Sequence, residues 1–198
     1  MPNWCYTNIT INHESEAEVE KLEKLIEEWT SKDYMPNGFG HKWLGNVVLG
    51  SGVGTVDTDK ATDLRCRGTI CDYYRNGSEL TINTETAWSP MMQMWVKILE
   101  KYLPGAELVY TAEEPGNGVW CTNDPALVNK WVIDYYGDGD IESDWEASED
   151  TVREVLQELL NTTETDVDKL VRMAWDEDVD ISVNKWDWTD LDEVVSWE

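Results

Sequence analysis

Residues 66–86, CRGTICDYYRNGSELTINTET, hold two runs of β-forming residues, 66–75 and 78–86, joined by Asn76-Gly77. An Asn-Gly pair readily takes the positive φ angles of a tight turn, so the stretch reads as a β-hairpin. On its N-terminal side, WCYTNITI (4–11) alternates and is rich in β formers, which predicts another strand. Trp4, Tyr6, Asn8 and Thr10 would share one face, with Cys5, Thr7, Ile9 and Ile11 on the other. Between strand and hairpin, Ser15 can cap a helix through about Thr30, with Val19, Leu22, Leu25, Ile26 and Trp29 on one stripe. Residues 31–63 are glycine-rich and read as a loop with one or two short strands around Val47–Leu49. Beyond the hairpin, Pro90 can start a helix over roughly 90–102 that buries Met94, Trp95, Ile98, Leu99 and Tyr102. Pro104-Gly105 stops it and Ala106–Thr111 returns as a strand.

The order strand, helix, strand, strand, helix, strand is the split βαβ, or ferredoxin-like, arrangement. The fold class expected is therefore α+β: a four-stranded antiparallel sheet with two helices, the first and third strands central. After about residue 124 the composition changes. Residues 125–198 carry 22 acidic and five basic residues, against 19 and ten in residues 1–124. Trp131–Tyr136 reads as one strand, and Ser148–Leu160 and Thr165–Trp175 as helices. Thr189-Asp190-Leu191-Asp192 resembles a capping box for a short last helix. The organisation expected is a domain over 1–124 and an acidic, mainly helical region over 125–198 packed on it. Val152, Val155, Leu156, Leu159, Leu160, Val167, Leu170, Val171 and Trp175 would give that region its core.

The whole chain of 198 residues carries 41 Asp and Glu against 15 Lys and Arg, a formal charge of −26. Such a surface repels nucleic-acid phosphates and anionic membranes and attracts cations and basic proteins. The start lacks a basic and apolar leader, and no run approaches a membrane span, so a cytoplasmic protein with reduced thiols is expected. The twelve Trp against one Phe suggest a core built on indoles.

Three motifs carry a family resemblance: Met1-Pro2-Asn3-Trp4-Cys5 with Asn8; Thr86-Ala87-Trp88-Ser89-Pro90 with Tyr102-Leu103-Pro104; and Glu113/Glu114 to Gly118-Val119-Trp120. In this order they resemble the Api92-like or YubB-like proteins of phages and plasmids, over about residues 1–122. The resemblance implies a ferredoxin-like core and a home on mobile elements, and no chemistry. The acidic C-terminal third lies outside it.

Each site candidate has a plainer reading beside it. Cys5, Cys66, Cys71 and Cys121 with His13 and His41 lack zinc spacing and read as buried thiols, and no local sequence makes a cysteine a nucleophile. Gly50-Ser51-Gly52-Val53-Gly54 lacks the GK[ST] ending of a phosphate loop and reads as a connection. Trp4 and Tyr6 could stack bases, but without cations beside them they read as core. Asp138, Asp140, Glu142, Asp144, Glu146 and Glu149 imitate calcium-loop spacing, but Ser143 stands where the turn needs Gly. These acids read as a solvated loop, and no metal or cofactor is expected.

What remains is an acidic, Trp-studded surface: Asp138, Asp140, Glu142, Asp144, Glu146, Glu149, Asp150, Asp176, Glu177, Asp178, Asp180, Asp187, Asp190 and Asp192. Carboxylates spaced over a rigid surface can imitate a duplex and fill the basic cleft of a nucleic-acid enzyme. The expectation is a non-enzymatic phage or mobile-element inhibitor of a host defence nuclease complex, anti-CRISPR or anti-restriction. Its partner would be a basic host protein or ribonucleoprotein. The alternatives are a self-associating interaction module and a metal-dependent or cysteine hydrolase using His41. The bland account of the acidity is solubility.

Overall fold

The computed structural model describes residues 3–34, 39–55, 64, 66–137 and 140–197. The chain forms two compact units, Met1–Asn123 with Thr189–Glu198, and Asp124–Trp188. The first begins with β1 (Trp4–Asn12), α1 (Glu16–Trp29) and α2 (Leu44–Ser51). β2 (Gly68–Asn76), β3 (Glu79–Ala87), α3 (Met92–Tyr102), β4 (Glu107–Glu114) and β5 (Val119–Thr122) follow. Its strands lie in the order β2-β3-β1-β4-β5, all antiparallel. β1 and β3 are central among the four strands of the βαββαβ order, and β5 extends the sheet beyond β4. The unit is ferredoxin-like.

The hairpin turn sits one residue later than the Asn-Gly pair suggests. Asn76 pairs with Glu79, so Gly77 and Ser78 form the loop. Only Gly77, at φ +61°, takes a positive φ, which fits a II′ turn. On β1, Cys5, Thr7, Ile9 and Ile11 are buried and Trp4, Tyr6 and Asn8 are exposed, as strand alternation requires. The buried face meets Val19, Leu22, Ile26 and Trp29 of α1 and Met92, Met94, Trp95 and Ile98 of α3 in one core. Ser15 caps α1 by accepting the Glu18 N–H.

Where short strands were expected around Val47–Leu49, the chain forms α2. Leu44, Val47, Val48 and Ser51 recur at helical spacing and are buried. A Cβ on Gly50 would lie 2.6 Å from Trp29 Cδ1, so glycine lets this helix approach the indole. Gly52 at φ +62° ends the helix, donating its N–H to the Val48 carbonyl. Gly50-Ser51-Gly52 is thus a helix C-terminus and not a loose connection.

The chain returns to this unit at Thr189. Its N–H donates to the Thr122 carbonyl at 2.9 Å, and the Tyr110 hydroxyl donates to the Thr189 carbonyl at 3.0 Å. α6 (Leu191–Ser196) then buries Val194 in the first core. Its N-cap is Asp190, one residue past the expected Thr189.

The second unit contains β6 (Trp131–Gly137), β7 (Asp140–Ala147), α4 (Glu149–Leu159), α5 (Val167–Asp176) and β8 (Ile181–Lys185). The strands form an antiparallel sheet in the order β7-β6-β8. The expected mainly helical region is therefore mixed α and β. β7 was missed because residues 140–146 are all exposed, leaving no apolar alternation to read. Trp131 and Ile133 of β6 pack with Val152 and Leu156 of α4 and Val167, Leu170 and Ala174 of α5. Leu159 and Trp175, expected in that core, are exposed. Nor is the core indole-dominated throughout, since six of the twelve Trp are exposed. No described helix is long and apolar enough to cross a membrane.

Candidate functional site

β7 carries the densest part of the expected acidic surface. Asp140, Glu142 and Asp144 pair with Gly137, Tyr135 and Ile133 of β6, and alternation points their side chains to one face. Of the residues imitating a calcium loop, Asp140, Glu142, Asp144 and Glu146 thus lie on an edge strand, whose period of two gives the same spacing. The Tyr135 hydroxyl donates to Glu142 at 2.7 Å, and this bond pushes the Tyr135 phenol up. Asp144 accepts the Glu146 N–H at 2.9 Å where a bulge shifts the pairing between Trp131 and Ile133. Among the described residues no Lys or Arg lies within 4 Å of Asp140, Glu142, Asp144 or Glu146. Asp138 lies outside the described residues.

Glu149 and Asp150 follow in the first turn of α4, where the helix dipole favours them, and Asp150 pairs with Arg153. Asp176, Glu177, Asp178 and Asp180 occupy the turn from α5 into β8 and are exposed, as is Asp187. Asp190 and Asp192 are exposed as well, but at the start of α6 in the first unit. The expected surface is therefore divided. β7 lies on one side of β6 and the strand entered from the 176–180 turn on the other, roughly 10 Å apart.

Among the described residues no three His, Cys, Asp or Glu side chains gather in a way that could hold a metal ion. Cys5, Cys66 and Cys121 are buried, and burial pushes the Cys5 thiol up to about 12. Cys71, read as buried, is exposed on β2. Its thiol too is raised, by partial burial and then by Glu85 and Asp72. His41 Nε2 stands 3.6 Å from one Asp33 carboxylate oxygen, with both side chains largely exposed.

The open face of the first sheet corrects a second reading. Trp4 and Tyr6 are 41 % and 49 % exposed, so they are not core. Glu85, with Glu113 further on, pushes the Tyr6 phenol up. Beside them Asn8 donates to Asn83 at 2.8 Å, and Asn83 donates to Asp72 at 2.5 Å, a polar ladder across three strands. These aromatics stand among carboxylates and amides.

At one end of this sheet the three family motifs converge. Trp4 pairs with Ala87, and the Trp88 N–H donates to the Asn3 carbonyl at 3.0 Å. Trp88 takes φ +75°, an uncommon conformation for a bulky residue. The Thr86 hydroxyl donates to the Ser89 carbonyl at 2.8 Å. Glu114, 1 % exposed, accepts the Gly116 N–H through Oε1 at 3.0 Å, while Oε2 has no partner among the described residues. A Cβ on Gly116 would fall 2.4 Å from Asn3 Nδ2, so the third motif closes against the first. Spacing could not have revealed this cluster, because its parts are about 80 and 110 positions from the N-terminus.

Fold and surface together define an α+β protein with a ferredoxin-like unit and an acidic second unit. Residues 70–155 match the family model described as a ferredoxin-like domain in Api92-like protein, and over that span the chain is similar to this family. The match overlaps the sequence resemblance over 70–122. It then continues through β6 and β7 into α4, residues that the sequence reading had left outside. No curated protein and no solved structure matches the chain.

Proposed function

We propose that this is a non-enzymatic inhibitor carried by a phage or other mobile element, acting in the cytoplasm on a host defence nuclease complex. A CRISPR effector or a restriction enzyme is the class of target, bound at a basic nucleic-acid cleft through charge mimicry. The observation that supports this most is the β7 strip. Asp140, Glu142 and Asp144 are exposed, share a face and have no cation partner among the described residues. Alternate strand residues recur about every 6.8 Å, a regular spacing for carboxylates that meet Arg and Lys side chains of a basic cleft.

The experiment is a pull-down from the native host, with mass spectrometry, followed by competition with duplex DNA and a salt titration. A captured nuclease that DNA displaces, and that D140N/E142Q/D144N binds at least about tenfold more weakly, fits the reading. Binding that is indifferent to DNA and to salt sinks it.

The open aromatic face of the first sheet favours a second reading, an interaction module that associates through Trp4 and Tyr6. Sedimentation would then show an assembly that W4A/Y6A dissolves. A monomer at all concentrations argues against self-association.

A further inference from the structure

The second unit has another recognition feature, on the sheet edge opposite β7. A groove of about 580 Å³ runs between α5 and β8, lined by apolar Ala174, Trp175 and Val183 among others and by polar Asp178, Ser182 and Asn184. Trp175 stands on it 86 % exposed. Among the described residues β8 pairs with β6 alone in the second unit's sheet, so no strand is bonded to its far edge. The Trp186 N–H donates to the Lys130 carbonyl, which the register places opposite it. Hydrogen-bonded and non-bonded pairs alternate along an antiparallel ladder, so Asn184 and Ser182 also bond inward to β6. Val183, which lines the groove, and Lys185 beyond it are then left with N–H and C=O directed away from β6.

The rim is held by local geometry. Asp178 takes φ +53°, its N–H bonds to the Trp175 carbonyl, and the Val179 N–H bonds to the Ala174 carbonyl at 2.9 Å. This is a Schellman ending with Asp in the position glycine usually fills. It fixes Asp176, Glu177, Asp178 and Asp180 in a short turn at the β8 entrance. Lys185, at the other end of β8, lies over the Trp131 ring at 5.3 Å.

We propose that this edge and groove bind an extended basic peptide segment of a partner protein, added as a strand beside β8. Its backbone bonds to Val183 and Lys185, alternate apolar side chains enter the groove against Trp175, and Lys or Arg residues meet the 176–180 turn. Strand addition of this kind draws affinity from main-chain bonds and selectivity from pockets for alternate side chains. The rim charge selects a basic occupant and opposes a second copy of this acidic chain. The site does not depend on the β7 strip or on the identity of its target.

The test uses the full chain and a fluorescein-labelled ten-residue peptide of alternating Lys and Val, followed by anisotropy. Saturable binding is expected, with amide shifts at Ile181–Lys185 and along α5. The same peptide N-methylated at alternate backbone nitrogens should bind about tenfold more weakly or worse, because it cannot donate to the edge. W175A, which removes an exposed side chain, should weaken binding several-fold. D176N/E177Q/D180N should weaken it and flatten its salt dependence. At about 0.15 M salt D140N/E142Q/D144N should weaken it less than D176N/E177Q/D180N does, because screening sets in over about 8 Å. Equal binding of the N-methylated peptide, or shifts confined to β7, would reduce the effect to nonspecific charge attraction and overturn the proposal. So would a dimer that W175A dissociates, since a second copy would then own the edge.

Discussion

Asp178 is held in the left-handed region at φ +53°, where an L-residue with a Cβ is strained and glycine is not. D178G should therefore stabilise the protein by about 1 kcal/mol, measured by urea unfolding, while weakening any basic ligand of the 176–180 turn. A gain in stability bought by a loss of binding would mean the carboxylate is retained for recognition and not for folding. Cys71 offers a different residue-scale check. Of the four cysteines it alone is exposed, and burial, Glu85 and Asp72 all favour its neutral thiol. A thiol reagent should label one site in the native protein, more slowly at neutral pH than free cysteine does, with the rate still climbing above the ordinary thiol pKa. The other three should react only on unfolding. Labelling of two or more sites in the native protein would contradict the burial of Cys5, Cys66 and Cys121.

Asn46 shows how an element can depend on one amide. From α2 it accepts the Tyr34 N–H and donates to the Gly40 and His41 carbonyls, each at 3.0 Å, and it is fully buried. N46A should cost roughly 2–3 kcal/mol by chemical denaturation, because it strands several partners at once. α2 itself was hard to read: Val47-Val48 favours a strand by propensity, and its flanking glycines look like loop. Packing against α1 overrides both. β1, the hairpin, α1 and α3 were legible because each buries one clean face with the period of its element. β7 was not legible, because it buries neither face until Ala147. Its alternating acids carried the strand period all along, yet the same spacing also fits a cation loop. Beside solubility, such charges guard an edge strand against pairing with other chains. They also repel one another. D140N/E142Q/D144N should raise the melting temperature of the second unit at low salt, and that gain should vanish in about 1 M NaCl, where the Debye length falls to about 3 Å. A gain independent of salt would point to strand propensity and not to charge.

Across the whole molecule, charge and core are unevenly shared. Residues 124–188 carry 19 acidic and five basic residues on 65 positions, while the other 133 carry 22 and ten. Among the described residues the first unit's core holds 28 buried side chains and the second unit's holds eight. Apolar burial is the main favourable term and like-charge repulsion opposes compactness, so both differences make the second unit the weaker one. Calorimetry in about 10 mM salt should resolve two transitions, because repulsion there reaches over a Debye length of about 30 Å. Hydrogen exchange should assign the lower one to β6 and β8, with β1, β3 and β4 protected to higher temperature. Raising the salt should move the lower transition upward by several degrees and the upper one less, closing the gap. A basic ligand of either acidic edge should do the same at low salt, since binding to the folded form stabilises it in proportion to occupancy. One transition with a single salt slope would mean that the two units unfold as one. The acidity would then be a cost spread over the molecule, and the case for a separately tuned binding unit would be lost.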